Sequence, residues 1–195
     1  MKRVGLYFGS FNPIHIGHLI VADYFASLPE YDEVWLVISP QNPLKPLAQL
    51  ADEAHRLEMV KFATEDNDRL RYCDIEFNLP RPSYTCDTLR VLREKYPSHN
   101  FTLIMGEDNK PTFHLWKDYL FILGNFPVRI FPRHGITHAE NIEWSKYDVQ
   151  LVPAPRIEIS STTIRARIAA HSSVQYILPL SVSDYISRHQ LYIKQ

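Results

Sequence analysis

Four short stretches of the chain are apolar almost throughout: Val4–Phe8, Val34–Ile38, Phe101–Met105 and Val128–Phe131. They are rich in β-branched and aromatic residues and show little polar alternation. Such runs suit parallel strands buried on both faces. Between them the apolar spacing becomes helical, over roughly 17–28, 52–64 and 84–95. In the first of these, Ile16, Ile20, Tyr24 and Leu28 lie one turn apart. Strand–helix alternation predicts an α/β fold: a Rossmann-like, doubly wound, mostly parallel sheet with helices on both faces. No repeat, low-complexity stretch or linker divides the sequence, so one domain is expected over 1–195, with a C-terminal helical part from about 155. Residues 133–150 are polar and read as a loop with short elements. A last helix is expected near Ser181, with Asp184 three residues on as a partial capping box.

Composition narrows the classes without choosing one. The chain has 195 residues, 45% hydrophobic and 22% charged, which is ordinary for a soluble globular protein. A net charge of −1 gives no global drive toward nucleic acid or an anionic membrane, so affinity for phosphate must be local. Cys73 and Cys86 form no C-x-x-C pair, which argues for reduced thiols rather than zinc or redox chemistry. No apolar run reaches the roughly 18 residues of a membrane span. Lys2 and Arg3 lead straight into a strand without a signal-peptide core, so a cytoplasmic location is expected. His134 and His138 have i,i+4 spacing, but they follow Pro132 and enclose Gly135, which disfavours a helix and a metal site.

The chemistry concentrates at strand ends. Gly9-Ser10-Phe11-Asn12-Pro13-Ile14-His15-Ile16-Gly17-His18 joins the first strand to the first helix through a glycine turn. That geometry aims backbone N–H groups, at the positive end of a helix dipole, at an anion such as phosphate. Neither G-x-G-x-x-G nor G-K-[ST] is present, so simple dinucleotide capture and P-loop hydrolysis lose ground. Ile159-Ser160-Ser161-Thr162-Thr163-Ile164-Arg165 gathers hydroxyls, helix-start amides and an arginine, a set suited to an anion with several oxygens. Pro80-Arg81-Pro82-Ser83-Tyr84-Thr85 opens another helix, followed by Asp87-Thr88-Leu89. Gly106-Glu107-Asp108 follows the Phe101–Met105 strand and sets a carboxylate where ribose hydroxyls can donate to it. Trp116, Arg133 after the Val128–Phe131 strand, and Lys45 in Asn42-Pro43-Leu44-Lys45 complete the candidates.

The H-x-G-H element behind G-S-F-N-P resembles the nucleotidylyltransferase superfamily. The whole decapeptide is most similar to its nicotinate-mononucleotide adenylyltransferase branch, and I-S-S-T-x-I-R looks like a signature of the same family. The matched positions run in order along nearly the whole chain. The resemblance implies transfer of the adenylyl group of ATP to nicotinate mononucleotide, giving deamido-NAD and pyrophosphate, in NAD biosynthesis. It implies that His15, His18 and Arg165 are catalytic. It implies an ATP site made by Gly9, Ser10, Phe11, Gly17, His18, Gly106, Asp108, Ser161, Thr162 and Arg165. The mononucleotide would meet Asn12, Lys45, Ser83, Tyr84, Thr85 and Arg133, with Trp116 stacking on its pyridine ring. The Lys45 loop departs from the family's P-P-H-K, since Leu44 replaces the histidine. No dedicated carboxylate metal site is evident, so Mg²⁺ is expected to arrive with ATP. The implied partners are the two small-molecule substrates, with no nucleic acid and no membrane; a homo-oligomer is left open.

Three other readings compete. Pantetheine-phosphate adenylyltransferases and cytidylyltransferases share H-x-G-H but should lack the Ser-Tyr-Thr and Trp116 arrangement. A non-enzymatic nucleotide-binding regulator would not need His15, His18 and Arg165 together. An RNA-binding relative of class I tRNA synthetases sits badly with a short, non-basic chain that lacks a K-M-S-K-S-like loop.

Overall fold

Six strands form one sheet in the computed structural model, which describes residues 1–41, 50–133 and 142–193. They are β1 (Lys2–Gly9), β2 (Glu33–Ile38), β3 (Leu70–Cys73), β4 (His99–Gly106), β5 (Val128–Phe131) and β6 (Val149–Leu151). Their order is β3-β2-β1-β4-β5-β6 and every pairing is parallel. The helices are α1 (Ile16–Ser27), α2 (Glu53–Thr64), α3 (Thr85–Lys95), α4 (Tyr119–Asn125), α5 (Ser161–Ala169) and α6 (Leu180–Arg188).

The apolar runs lack alternation because both faces of the sheet are covered. In β2, Val34, Leu36 and Ile38 enter one core while Trp35 and Val37 enter the other. On the first face, Val21 and Phe25 of α1, Met59 and Val60 of α2, Ile164 of α5 and Val182 and Ile186 of α6 close the core. On the second, Leu89 and Leu92 of α3 and Ile122 and Leu123 of α4 do so. Covering both faces leaves the carboxyl ends of the strands as the place for a ligand. Between β1 and β4 the strand order reverses, and the crevice there is the expected binding position.

The three anticipated helices agree with α1, α2 and α3 to within a residue at each end. The last helix starts within a residue of the expected position but is capped differently. It begins at Leu180 after Pro179, and Ser181 donates to the Phe62 carbonyl at 3.4 Å instead of capping, so the Asp184 capping box does not form. Strands β3 and β6 and helix α4 are additions to the sequence reading. Within 133–150, a 3-10 turn at Trp144–Lys146 leads into β6. Lys45, His134 and His138 lie outside the described residues. Cys73 and Cys86 are both buried and free. Among the described residues no helix is long and apolar enough to cross a membrane.

Candidate active site

The decapeptide leaves β1 and folds back tightly. Phe11 takes a left-handed backbone (φ 44°) and lays its ring over Gly9, where a Cβ would sit 2.8 Å from that ring. Only glycine leaves the aromatic ring this room. Asn12 is buried, and its Oδ1 accepts from the Ala51 N–H at 3.0 Å and the Tyr192 hydroxyl at 2.8 Å. Asn12 therefore braces the loop from beneath.

His15 occupies the N-cap of α1, and its carbonyl accepts from the N–H groups of His18 (2.9 Å) and Leu19 (3.2 Å). In return the His15 N–H donates to Nδ1 of His18 at 3.3 Å. An imidazole that accepts at Nδ1 carries its proton on Nε2 when neutral, so His18 presents an N–H donor from the far side of its ring. The two imidazoles stack with centroids 3.7 Å apart and planes 23° from parallel. Stacking this close requires that they not both be charged. Burial, reinforced by the Arg133 guanidinium, pushes His15 down to about 4, so it is neutral at pH 7. Its Nδ1 is buried without a hydrogen-bond partner among the described residues.

Helix α5 clasps the same loop from the far end of the chain. Ser160 is its N-cap, accepting from the Thr163 N–H at 3.1 Å. Ser161 Oγ donates to the Pro13 carbonyl at 2.9 Å, and Arg165 Nη1 donates to the Asn12 carbonyl at 2.9 Å. Arg165 Nη2 reaches Thr162 Oγ1 at 3.4 Å. The Ser161 hydroxyl proton is thus spent on the loop. What α5 offers an anion is the N–H groups of Ser161 and Thr162, which no carbonyl within the helix can take up, beside the positive charge of Arg165.

Beside the loop, the ends of β4 and β5 bring Gly106, Asp108 and Arg133 together. A Cβ on Gly106 would overlap Asp108 Oδ1, so glycine alone lets the carboxylate turn back here. Asp108 Oδ1 stands 4.0 Å from Arg133 Nε, an ion pair without a hydrogen bond. A cavity of about 10 Å³ beside them is lined by His15, Gly17, Phe131, Arg133, Ile157 and Ile159. Arg133, expected among the mononucleotide contacts, lines this cavity with His15 and Gly17 and faces Asp108. The reason is topological, since β5 pairs with β4 and ends next to Gly106. Tyr7, absent from the sequence reading, packs edge-on against Phe11, Phe131 and His18. Burial pushes its hydroxyl up to about 12, so it stays protonated.

A second group lies at the start of α3. Tyr84 is the N-cap and Thr85 the first helical residue. Ser83 is buried, with its N–H and Oγ both 3.3 Å from the Gln41 carbonyl. Beneath it the buried Glu76 accepts from Thr88 Oγ1 at 2.7 Å. Burial raises the Glu76 pKa against the opposing hydrogen bonds of Ser83, Thr88 and Ser39. Trp116 is half-buried and stacks on Phe113 at 4.8 Å. Its neighbour Lys117 pairs with Asp87 at 2.8 Å and lies 4.8 Å over the Tyr84 ring, which fixes the tryptophan segment beside the first turn of α3. Arg56 of α2 was also unforeseen. It is 1% exposed and its guanidinium donates to four backbone carbonyls, of Ser10, Ser39, Pro40 and Ala51.

A cytidylyltransferase-like family model matches residues 6–167. A probable nicotinate-nucleotide adenylyltransferase of Flavobacterium johnsoniae is 46% identical over 193 residues, covering 98% of this chain and 100% of that one. Its counterpart from Bacteroides thetaiotaomicron is 44% identical over 193 residues, covering 99% and 93%. Among solved structures, Plasmodium falciparum nicotinic acid mononucleotide adenylyltransferase complexed with NaAD superposes with a TM-score of 0.81 at 22% identity, covering 98% of each chain. The same enzyme complexed with APC gives 0.79 at 23% identity, again covering 98% of each chain. These two likenesses establish the fold.

Proposed function

The chain belongs to the cytidylyltransferase-like family and, within it, to the nicotinate-nucleotide adenylyltransferases, and from that premise we propose how its site moves the adenylyl group. The enzyme transfers the adenylyl group of ATP to nicotinate mononucleotide, releasing deamido-NAD and pyrophosphate. One observation carries our assignment of roles: α5 is bonded through Ser161 and Arg165 to the loop that bears His15 and His18, so both phosphate-type elements face one crevice.

The attacking group is a phosphate oxygen of the mononucleotide. A phosphate monoester has a second pKa near 6, so at pH 7 the nucleophile is already anionic and needs no general base. It displaces pyrophosphate in line at the α-phosphorus. Catalysis is then positioning plus stabilisation of charge on the α-phosphoryl oxygens. His18 Nε2–H and neutral His15 donate there. The amides around Ser10 and the first turn of α5 receive phosphate oxygens, with Arg165 toward the departing pyrophosphate. Asp108 accepts from ribose hydroxyls. Thr85 and the first turn of α3 meet the nicotinate carboxylate, with Trp116 as the stacking wall.

Among the described residues no group of three His, Cys, Asp or Glu is assembled to ligate a metal. A site rich in N–H donors would hold ATP by its phosphate oxygens, and a Mg²⁺ arriving with ATP would supply neutralisation of the leaving pyrophosphate.

The test is purified protein with ATP, Mg²⁺ and nicotinate mononucleotide, following pyrophosphate and deamido-NAD. Turnover only with CTP, or only with a phosphopantetheine acceptor, would overturn the assignment.

A further inference from the structure

Arg56 sits in the first turn of α2, sealed from solvent, and pairs with no carboxylate among the described residues. A buried guanidinium is costly unless its N–H groups are satisfied. Here they are satisfied by backbone carbonyls from separate segments. Nη1 reaches Ser10 O at 2.8 Å and Ser39 O at 2.7 Å. Nη2 reaches Pro40 O at 2.9 Å, and Nε reaches Ala51 O at 3.1 Å.

Those segments belong to opposite halves of the site. Ser10 lies in the loop on the ATP side. Ser39 and Pro40 lead to Gln41, whose carbonyl receives Ser83 at the entrance to α3, on the acceptor side. Ala51 also donates its own N–H to Asn12 Oδ1, in the loop between β1 and α1. One planar, rigid group is therefore fastened to both halves. A guanidinium holds its N–H directions fixed, whereas a lysine offers one rotating nitrogen that cannot span the same carbonyls.

We propose that Arg56 is a positioning residue for the adenylyl transfer, setting the spacing between the ATP loop and the mononucleotide-binding element. The proposal rests on the adenylyl-transfer reading. In-line displacement needs attacking oxygen, phosphorus and leaving oxygen aligned, and a misplacement of about 1 Å costs on the order of 10²-fold in rate. A spacing residue should therefore act on kcat while each substrate, bound alone, is held nearly as well as before. A merely structural arginine behaves differently: removing it leaves four backbone carbonyls without their donor and lowers stability, while the variant that remains folded turns over near the wild-type rate.

The experiment begins with wild-type turnover of ATP and nicotinate mononucleotide. Its failure overturns the adenylyl-transfer reading, and the proposal with it. Arg56→Lys and Arg56→Met then test Arg56 itself. Thermal melts establish folding. Calorimetry measures binding of nicotinate mononucleotide and, separately, of an ATP analogue with a non-cleavable α–β bridge. The expected result for Arg56→Lys is each affinity within about threefold of wild type and kcat lower on the order of 10²-fold, with Arg56→Met at least as slow. A folded variant with kcat within about threefold of wild type overturns the proposal. So does a loss of turnover matched by an equal loss of either affinity. Should both variants fail to fold, ¹⁵N spectra of the wild-type protein decide. The Arg56 Nε–H signal is expected to shift on adding either ligand alone, and a signal unmoved by both overturns the proposal.

Discussion

His18 joins two tasks in one ring, and two substitutions pull them apart. Its Nδ1 accepts from the His15 N–H at 3.3 Å, which helps close the first turn of α1. Its Nε2–H is the donor assigned to the α-phosphoryl oxygen. Asparagine puts an oxygen near the Nδ1 position but nothing at Nε2; glutamine puts an amide nitrogen near Nε2 but no acceptor at Nδ1. Both lose the stack on His15, so that background cancels between them. The cap bond is long, which sets its worth at the low end of the cap range, about 0.5–1 kcal/mol. For a domain of this size that is a Tm shift of about 1–4 °C. One preorganised oxyanion donor is worth about 10²–10³ in kcat. His18→Asn should therefore melt at least as high as His18→Gln yet turn over on the order of 10²-fold more slowly than wild type. His18→Gln should melt lower and keep more of kcat. Scanning calorimetry and steady-state release of pyrophosphate read the two axes separately. If His18→Asn keeps kcat while His18→Gln loses it, the donor is not Nε2 and the tautomer argument fails. If both stay within threefold of wild type, His18 is not part of the chemistry.

Three further outcomes follow from the same geometry. Arg165→Lys keeps the charge but loses the fork that spans Asn12 O and Thr162 Oγ1, so KM for ATP should rise about tenfold with little change for the mononucleotide; kinetics with the reverse pattern would move Arg165 out of the ATP site. Nicotinate mononucleotide should exceed the nicotinamide form by at least about tenfold in kcat/KM, because the first-turn donors of α3 favour an anion and leave the amide's own donors unpaired. Thr85→Ala should narrow that gap, and equal efficiencies for the two substrates in the wild type would break the assignment. His15 is held neutral, at about 4 in the folded protein against about 6.5 unfolded, so the unfolded chain binds more protons between those values. Stability should then fall by about 3 kcal/mol as pH drops from 6.5 to 4; denaturant melts of wild type and His15→Gln check this, and an equally steep fall in the variant would clear His15 of the effect.

The four central strands are legible because burial on both faces writes itself as an unbroken apolar run, and the helices between them because one face of each is covered. The edges of the sheet are not. In β3, Arg71 and Tyr72 are exposed, and β6 is three residues with Gln150 and Leu151 exposed, so neither carries a run long enough to read. Helix α4 spans only seven residues, too few to display a period. In the candidate site, the residues proposed to hold anions lie in recognisable loops and are readable in order. Residues that act from behind were not. Tyr7 looks like any aromatic in a strand, and Arg56 falls at a position where a helix pattern places a surface charge. Arg133 is legible as a strand-end group, but which residues it meets depends on β5 lying next to β4, and neighbour order is a property of the sheet that no local pattern records.

The loop between β1 and α1 is held by groups that come very late in the chain. Asn12 and Pro13 are tied to Ser161, Arg165 and Tyr192, partners separated from them by 148 to 180 positions. On a ribosome the decapeptide emerges well before the hydroxyls and guanidinium that fasten it. A nascent chain that stops short of Ser161 therefore bears the nucleotide signature yet has none of these fastenings. Contacts this distant in sequence carry a large loop-closure entropy and are slow to form. The loop is thus ordered in time as well as in space: β1 is made early, but the turn that follows it is fastened only once Ser161, Arg165 and Tyr192 have been made.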